Sequence, residues 1–185
     1  TRAAASSGAR IPIGQVEGYV AGRVSPTKAQ QIIALLNAET AKDTKDAIRR
    51  LSAALLPAGS APVDFVVVQD AKAADMECTR ACALPAHIYA SMSFVRDGQY
   101  HQRPHVPLPA GLTHWAFIIL HEFGHIMQYR DLGDYPPTYS QAAEYTKEQE
   151  FEADSFATAL ARRAGLRLAM PTPSAAHMHR SRKRS

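Results

Sequence analysis

The chain has 185 residues, 46% hydrophobic and 21% charged, a composition that excludes a disordered or low-complexity protein and fits one globular domain with its own core. The net charge of +4 and a pI near 9.2 invite a nucleic-acid or membrane-surface partner. However, Arg180, Arg182, Lys183 and Arg184 sit at the very end, and the other 17 basic residues are matched by 17 acidic ones.

The body of the chain therefore carries no clear nucleic-acid site. No apolar run approaches the ~18–20 residues of a membrane span, and two cysteines are too few for a disulfide framework. The chain opens on Thr1 with neither Met nor a basic-then-apolar leader. It is expected to be a processed form or an excised domain, with a lean towards a bacterial periplasmic or secreted location. Oligomeric state is left open.

Residues 1–10 have no apolar period and read as a flexible lead. Ser25 followed by Pro26 supplies a capping oxygen and a proline at the first helical position. Ile32, Ile33, Leu35 and Leu36 continue that helix to about residue 41. A second helix is expected over residues 44–56, with Ile48, Leu51, Ala54 and Leu55 on one side; Pro57 and Gly59 end it.

Residues 63–69 are β-branched, aromatic and short, which predicts a buried strand. Residues 70–83 read as a polar connection, and residues 87–95 as another strand. Arg96, Asp97 and Gly98 suggest a turn, with residues 99–103 returning as a hairpin. Pro104, Pro107 and Pro109 keep the next stretch extended.

A helix is expected over residues 112–130, where Leu112, Trp115, Ala116, Ile119, Phe123 and Ile126 recur at three and four. Thr138 with Gln141 looks like a capping box that opens a helix running to about residue 164, stopped by Gly165. Residues 11–170 thus form a single domain, and residues 171–185 a disordered basic tail.

His121, Glu122 and His125 carry the chemistry. Histidines at i and i+4 project from one helical face, about one turn apart. That spacing lets both imidazoles reach one zinc ion at ~2.0–2.1 Å. Glu122, next to the first ligand, is placed to act as general base on a water activated by the metal.

A catalytic zinc site needs a third protein ligand and an open fourth position. Glu150 and Asp154 lie four apart on the next helix and share a face. Glu150 is expected to complete the ligand set for one Zn2+ per chain. Asp154 is expected to accept the second ring N–H of His121 or His125. Glu148 and Glu152 are expected to complement the helix dipole, and Gly124 to leave room beside the metal.

Competing ligands are weaker. Asp131, six residues after His125, would need a helix-breaking glycine where Gln128 stands. Cys78 or Cys82 could offer a thiolate, but the flanking motifs of a deformylase-like site are absent. The two cysteines are expected as reduced, part-buried thiols, with a disulfide as the alternative. His87, His101, His105 and His114 read as ordinary polar residues, with His101 or His105 able to assist in a cleft. An oxyanion helper is also required, and Tyr139, Tyr145 and His114 are its candidates. The loop over residues 131–140 is expected to shape or cover the cleft.

These residues resemble the gluzincin metallopeptidases, and the paired motifs are similar to the CAAX-prenyl-endopeptidase/HtpX family. The resemblance implies zinc ligation by His121, His125 and Glu150, general-base catalysis by Glu122, and support from Asp154. Residues 81–90, ACALPAHIYA, resemble that family's loop NAFALPGGHIYV without its Asn and Gly pair. The strand containing His87, Ile88, Tyr89 and Ala90 would then line the cleft edge and bind substrate backbone by strand addition. The short separation between His125 and Glu150, and the run EFEADSFA, are also similar to ImmA/IrrE-type metallopeptidases.

The implied fold is α+β and zincin-like. A small mixed or antiparallel sheet of about three to four strands would pack on the active-site helix and the following ligand helix, behind two N-terminal helices. The expected function is zinc-dependent endopeptidase action on a protein or peptide substrate. The alternatives are an effector or regulatory protein that uses a gluzincin domain on one protein target, and a nucleic-acid-associated scaffold acting through the basic tail.

Overall fold

Capping hydroxyls set the first boundaries of this computed structural model, which describes residues 13–78, 80–84, 86–97, 108–132 and 145–167. Ser25 accepts the N–H of Lys28 and opens α2 (Pro26–Asn37). Thr40 accepts the N–H of Asp43 and opens α3 (Ala41–Leu55). The expected start at Thr44 is therefore three residues late. Thr44 is instead buried inside α3, where its hydroxyl accepts the indole N–H of Trp115 at 3.0 Å.

A further N-terminal helix, α1 (Val16–Arg23), precedes these two, so three helices stand where two were expected. Its signal was weak because only Val16 and Val20 are buried and glycines stand at 18 and 22. Tertiary bonds hold it. Tyr19 donates to Leu55 O at 2.6 Å, Arg162 pairs with Glu17, and Arg163 donates to Val24 O.

The protein is α+β. Its described residues form seven α-helices, a short 3-10 turn and one three-stranded mixed sheet. The strands are β1 (Asp64–Val68), β2 (Ala81–Leu84) and β3 (His87–Ser91), in the order β1-β3-β2. β3 runs parallel to β1 and antiparallel to β2.

The presumed polar connection at 70–83 in fact contains α4 (Asp70–Asp75) and β2. The presumed strand over 87–95 stops at Ser91 and becomes α5 (Met92–Asp97). Ser91 Oγ accepts the N–H of Phe94, and Asp70 accepts that of Ser93. These caps turn the chain so that Phe94 packs on Trp115, ring centroids 4.7 Å apart. An unbroken apolar run cannot reveal such a turn by periodicity alone. The hairpin expected at 99–103 lies outside the described residues.

Phe65, Ile88, Ala90, Ala81 and Ala83 share the inner face of the sheet. They cover α6 (His114–Leu132), whose Trp115, Ala116, Ile119, Leu120, Phe123 and Ile126 are fully buried. Thr113 caps α6 by accepting the N–H of Ala116, and its own N–H goes to Asn37.

The last helix, α7 (Lys147–Arg163), opens on a capping box made by Thr146 and Gln149. Thr146 is extended, so a single helix over 138–164 is ruled out; the box expected at Thr138 and Gln141 lies outside the described residues. No helix among the described residues is long and apolar enough to cross a membrane.

Helices α6 and α7 come into close contact at Gly124. A Cβ built there would lie 2.9 Å from Ala153 Cα and 3.3 Å from Ala153 Cβ. The room that Gly124 leaves is therefore taken by the backbone of α7, and not by space beside a metal. Gly124→Ala is expected to lower stability by about 1–3 kcal/mol through overpacking. Gly18→Ala, on an open face of α1 with nothing within 4 Å, should instead be neutral or stabilising by up to about 1 kcal/mol. Urea denaturation of the two variants checks both signs.

Candidate metal centre

The Gly124–Ala153 contact brings the polar faces of α6 and α7 together one turn either side of it. His121 and His125 project from α6 and Glu150 from the first turn of α7, and their donor atoms all lie within 4.8 Å of one another. His121 Nε2 is 3.0 Å from His125 Nε2 and 3.2 Å from Glu150 Oε2; His125 Nε2 is 3.8 Å from Glu150 Oε1. Tetrahedral zinc with bonds of ~2.0–2.1 Å sets its ligand atoms ~3.3 Å apart. The three donors fit that spacing and that donor chemistry, so the group could hold a metal ion.

Each imidazole is backed at its other nitrogen. His121 Nδ1 lies 2.8 Å from Asp154 Oδ1, as expected from the spacing of Glu150 and Asp154. His125 Nδ1 lies 2.9 Å from Gln128 Oε1, a partner that the sequence reading missed. The only signal for it was a polar residue three positions after His125 on an otherwise apolar stretch. Glu152 also differs from expectation. It is buried and accepts from Gln128, whereas exposed Glu148 does lie in the first turn, where it suits the dipole.

Burial alone would push His121 down. Its bonds to Asp154 and Glu150 and the charges of Glu122 and Asp154 outweigh this and raise its pKa to about 10. His125 moves the other way, to about 3, through burial and the charge of His121. Glu122 is pushed up to about 7, chiefly by burial. His121 opposes that rise, Glu150 adds to it, and a backbone hydrogen bond from Ala83 and the charge of Arg80 oppose it.

Glu122 thus faces β2, and this corrects the expected substrate-edge strand. His87, Ile88, Tyr89 and Ala90 form the central strand, bonded on both sides. Their backbone has no free ladder to offer. Among the described strands β2 is the edge beside α6, and alternate residues of an antiparallel edge turn their amides outward. Ala83 is one of these.

The other candidates sort by position. His114 is exposed at the first position of α6, seven residues and ~10 Å along the axis from His121. Tyr145 stacks on the His125 ring, with centroids 3.8 Å apart. Tyr139, His101 and His105 lie outside the described residues, as does most of the 131–140 loop. α6 continues to Leu132, which carries the backbone at Asp131 ~9 Å past His125 instead of turning it back.

Cys78 and Cys82 are joined in a disulfide, not kept as reduced thiols. The turn from α4 into β2 sets their Cα atoms 5.8 Å apart, within bonding range, and removes both thiolates from metal ligation.

Compared with protein-family models, curated proteins and solved structures, the chain gives no match. The reading of the site therefore stands on its own residues.

The raised pKa of His121 has a consequence for metal uptake. At pH 7 the His121 proton must leave before its Nε2 lone pair can ligate, so binding of a divalent metal ion should release about one proton from this residue. Affinity should rise roughly tenfold per pH unit between about pH 7.5 and 8.5, where Glu122 is already largely ionised. Calorimetry in buffers of different ionisation heat checks the proton count; a pH-independent affinity would contradict it.

Proposed function

We propose that the chain is a zinc-dependent metalloendopeptidase that hydrolyses peptide bonds, with His121, His125 and Glu150 holding the ion. The observation that carries this reading is the convergence of those three donors beside the part-buried carboxyl of Glu122. Zinc bound there would supply Lewis acidity, polarising the scissile carbonyl and making water a better nucleophile near neutral pH.

The rest falls to the chain's own side chains. Glu122, pushed up to about 7, is poised to take the proton of the attacking water and pass it to the leaving amine. The outer edge of β2 would take the substrate backbone by strand addition beside Glu122, which itself accepts the outward amide of Ala83. Asp154 holds the His121 ring in orientation. The buried Cys78–Cys82 bond anchors the start of β2, and a structural disulfide suits an oxidising compartment such as a periplasm or the cell exterior.

Purified protein should carry one zinc per chain and cleave an unstructured substrate such as casein. Glu122→Gln should keep the zinc and lose activity by ~100-fold or more. Glu150→Ala should lose both. Full casein cleavage by Glu122→Gln would end the mechanism. Zinc that persists in Glu150→Ala but is lost in His125→Ala would move the third ligand elsewhere.

A further inference from the structure

We infer that Gln128 is a positioning residue that fixes the tautomer of His125 and so keeps its Nε2 lone pair directed at the metal. The inference rests on the metal-centre reading above.

It comes from donor and acceptor accounting. A carboxamide has one oxygen that only accepts and one nitrogen that only donates. Gln128 Nε2 lies 2.8 Å from the Gln149 carbonyl oxygen and 2.9 Å from Glu152 Oε2. Both neighbours are acceptors, so the amide nitrogen must face them. Gln128 Oε1 is thereby turned to His125 Nδ1, 2.9 Å away. An oxygen there can only accept, so Nδ1 carries the proton and Nε2 carries the lone pair. The flipped amide would set oxygen against two acceptors, and the Nε2–H tautomer of His125 would set lone pair against lone pair.

Burial gives this arrangement its force. His125 is 1% exposed, and Gln128 and Glu152 are each 8% exposed, so water cannot cheaply replace a mismatched partner. Helix α7 thus supports both imidazoles, by different means. Asp154 meets His121 directly, while Glu152 and the Gln149 carbonyl act on His125 through the neutral amide of Gln128.

Long-range proton–nitrogen NMR spectra of the metal-free protein near pH 7.5 read the tautomer of each histidine. His125 should be the Nδ1–H form in the wild type. Gln128→Met fills the same space without an acceptor. The His121 ring, 3.0 Å from His125 Nε2, can hold the same tautomer from the other side, so Gln128→Met is read on a His121→Ala background, where the Nδ1–H form should give way to a mixture or to Nε2–H. In Gln128→Met alone, zinc affinity, measured by chelator competition, should fall ~10–100-fold. Glu152→Gln, which can still present an oxygen to Gln128, should keep the tautomer.

Three results would overturn the inference: an Nε2–H His125 in the wild type, a tautomer unchanged when Gln128→Met is added to His121→Ala, or unchanged zinc affinity in Gln128→Met alone. Should Gln128→Met not fold, the wild-type spectrum still decides the tautomer. Should the wild type bind no zinc, the metal-centre reading fails on its own, while the spectra still decide whether Gln128 sets the tautomer.

Discussion

Gly124 meets the backbone of Ala153 so closely that α6 and α7 sit nearer than two helices with ordinary side chains at the crossing would allow. A short interhelical distance matters because carboxylate side chains reach only a few ångströms. With Gly124 and Ala153 about one turn from His121 and Glu150, the donor atoms of those two side chains meet at 3.2 Å. The same approach buries Asp154 and Glu152 against α6. Burying carboxylates is costly unless they are bonded. The pairs His121–Asp154 and Gln128–Glu152 offset part of that cost while orienting the rings, though Asp154 Oδ2 stays buried without a hydrogen bond.

The apolar half of the molecule serves the same end. α6 is buried on nearly all sides: by the sheet through Phe65, Ile88 and Ala83, by α3 through Trp115 and Thr44, and by α7 through Phe156. A helix held on several sides has little freedom to rotate. Its two histidines and Glu122 therefore face α7 and β2 in a fixed sense. Loop-borne residues would not give such a constraint, and it is what a preorganised centre requires.

Legibility in the sequence followed the range of the interaction. The helix over 112–130 could be read because Trp115, Ile119, Phe123 and Ile126 repeat locally. Ser25 and Gly165 could be read because caps are local too. The turn from β3 into α5 could not, since it depends on Asp70 reaching Ser93 from another element. Nor could α1, whose anchors Leu55, Arg162 and Arg163 are far along the chain. The central position of the strand containing His87–Ala90 was hidden for a related reason. Strand order is a property of the whole sheet, and the resemblance that placed this strand at an edge carried no information about it.

By itself the sequence determined that His121 and His125 share a face with Glu122 between them, and that Glu150 and Asp154 share another. Helical periodicity is local and sets such spacings without help from the rest of the chain. Only the tertiary structure decided that the two faces meet at donor spacing, that Gln128 and not a carboxylate backs His125, and that β2 is the strand beside Glu122. It also decided that Cys78 and Cys82 pair. The first three turn on distances between elements separate in the chain, fixed by packing at Gly124 and by the order of three strands, while the cysteine pairing follows from the turn between α4 and β2.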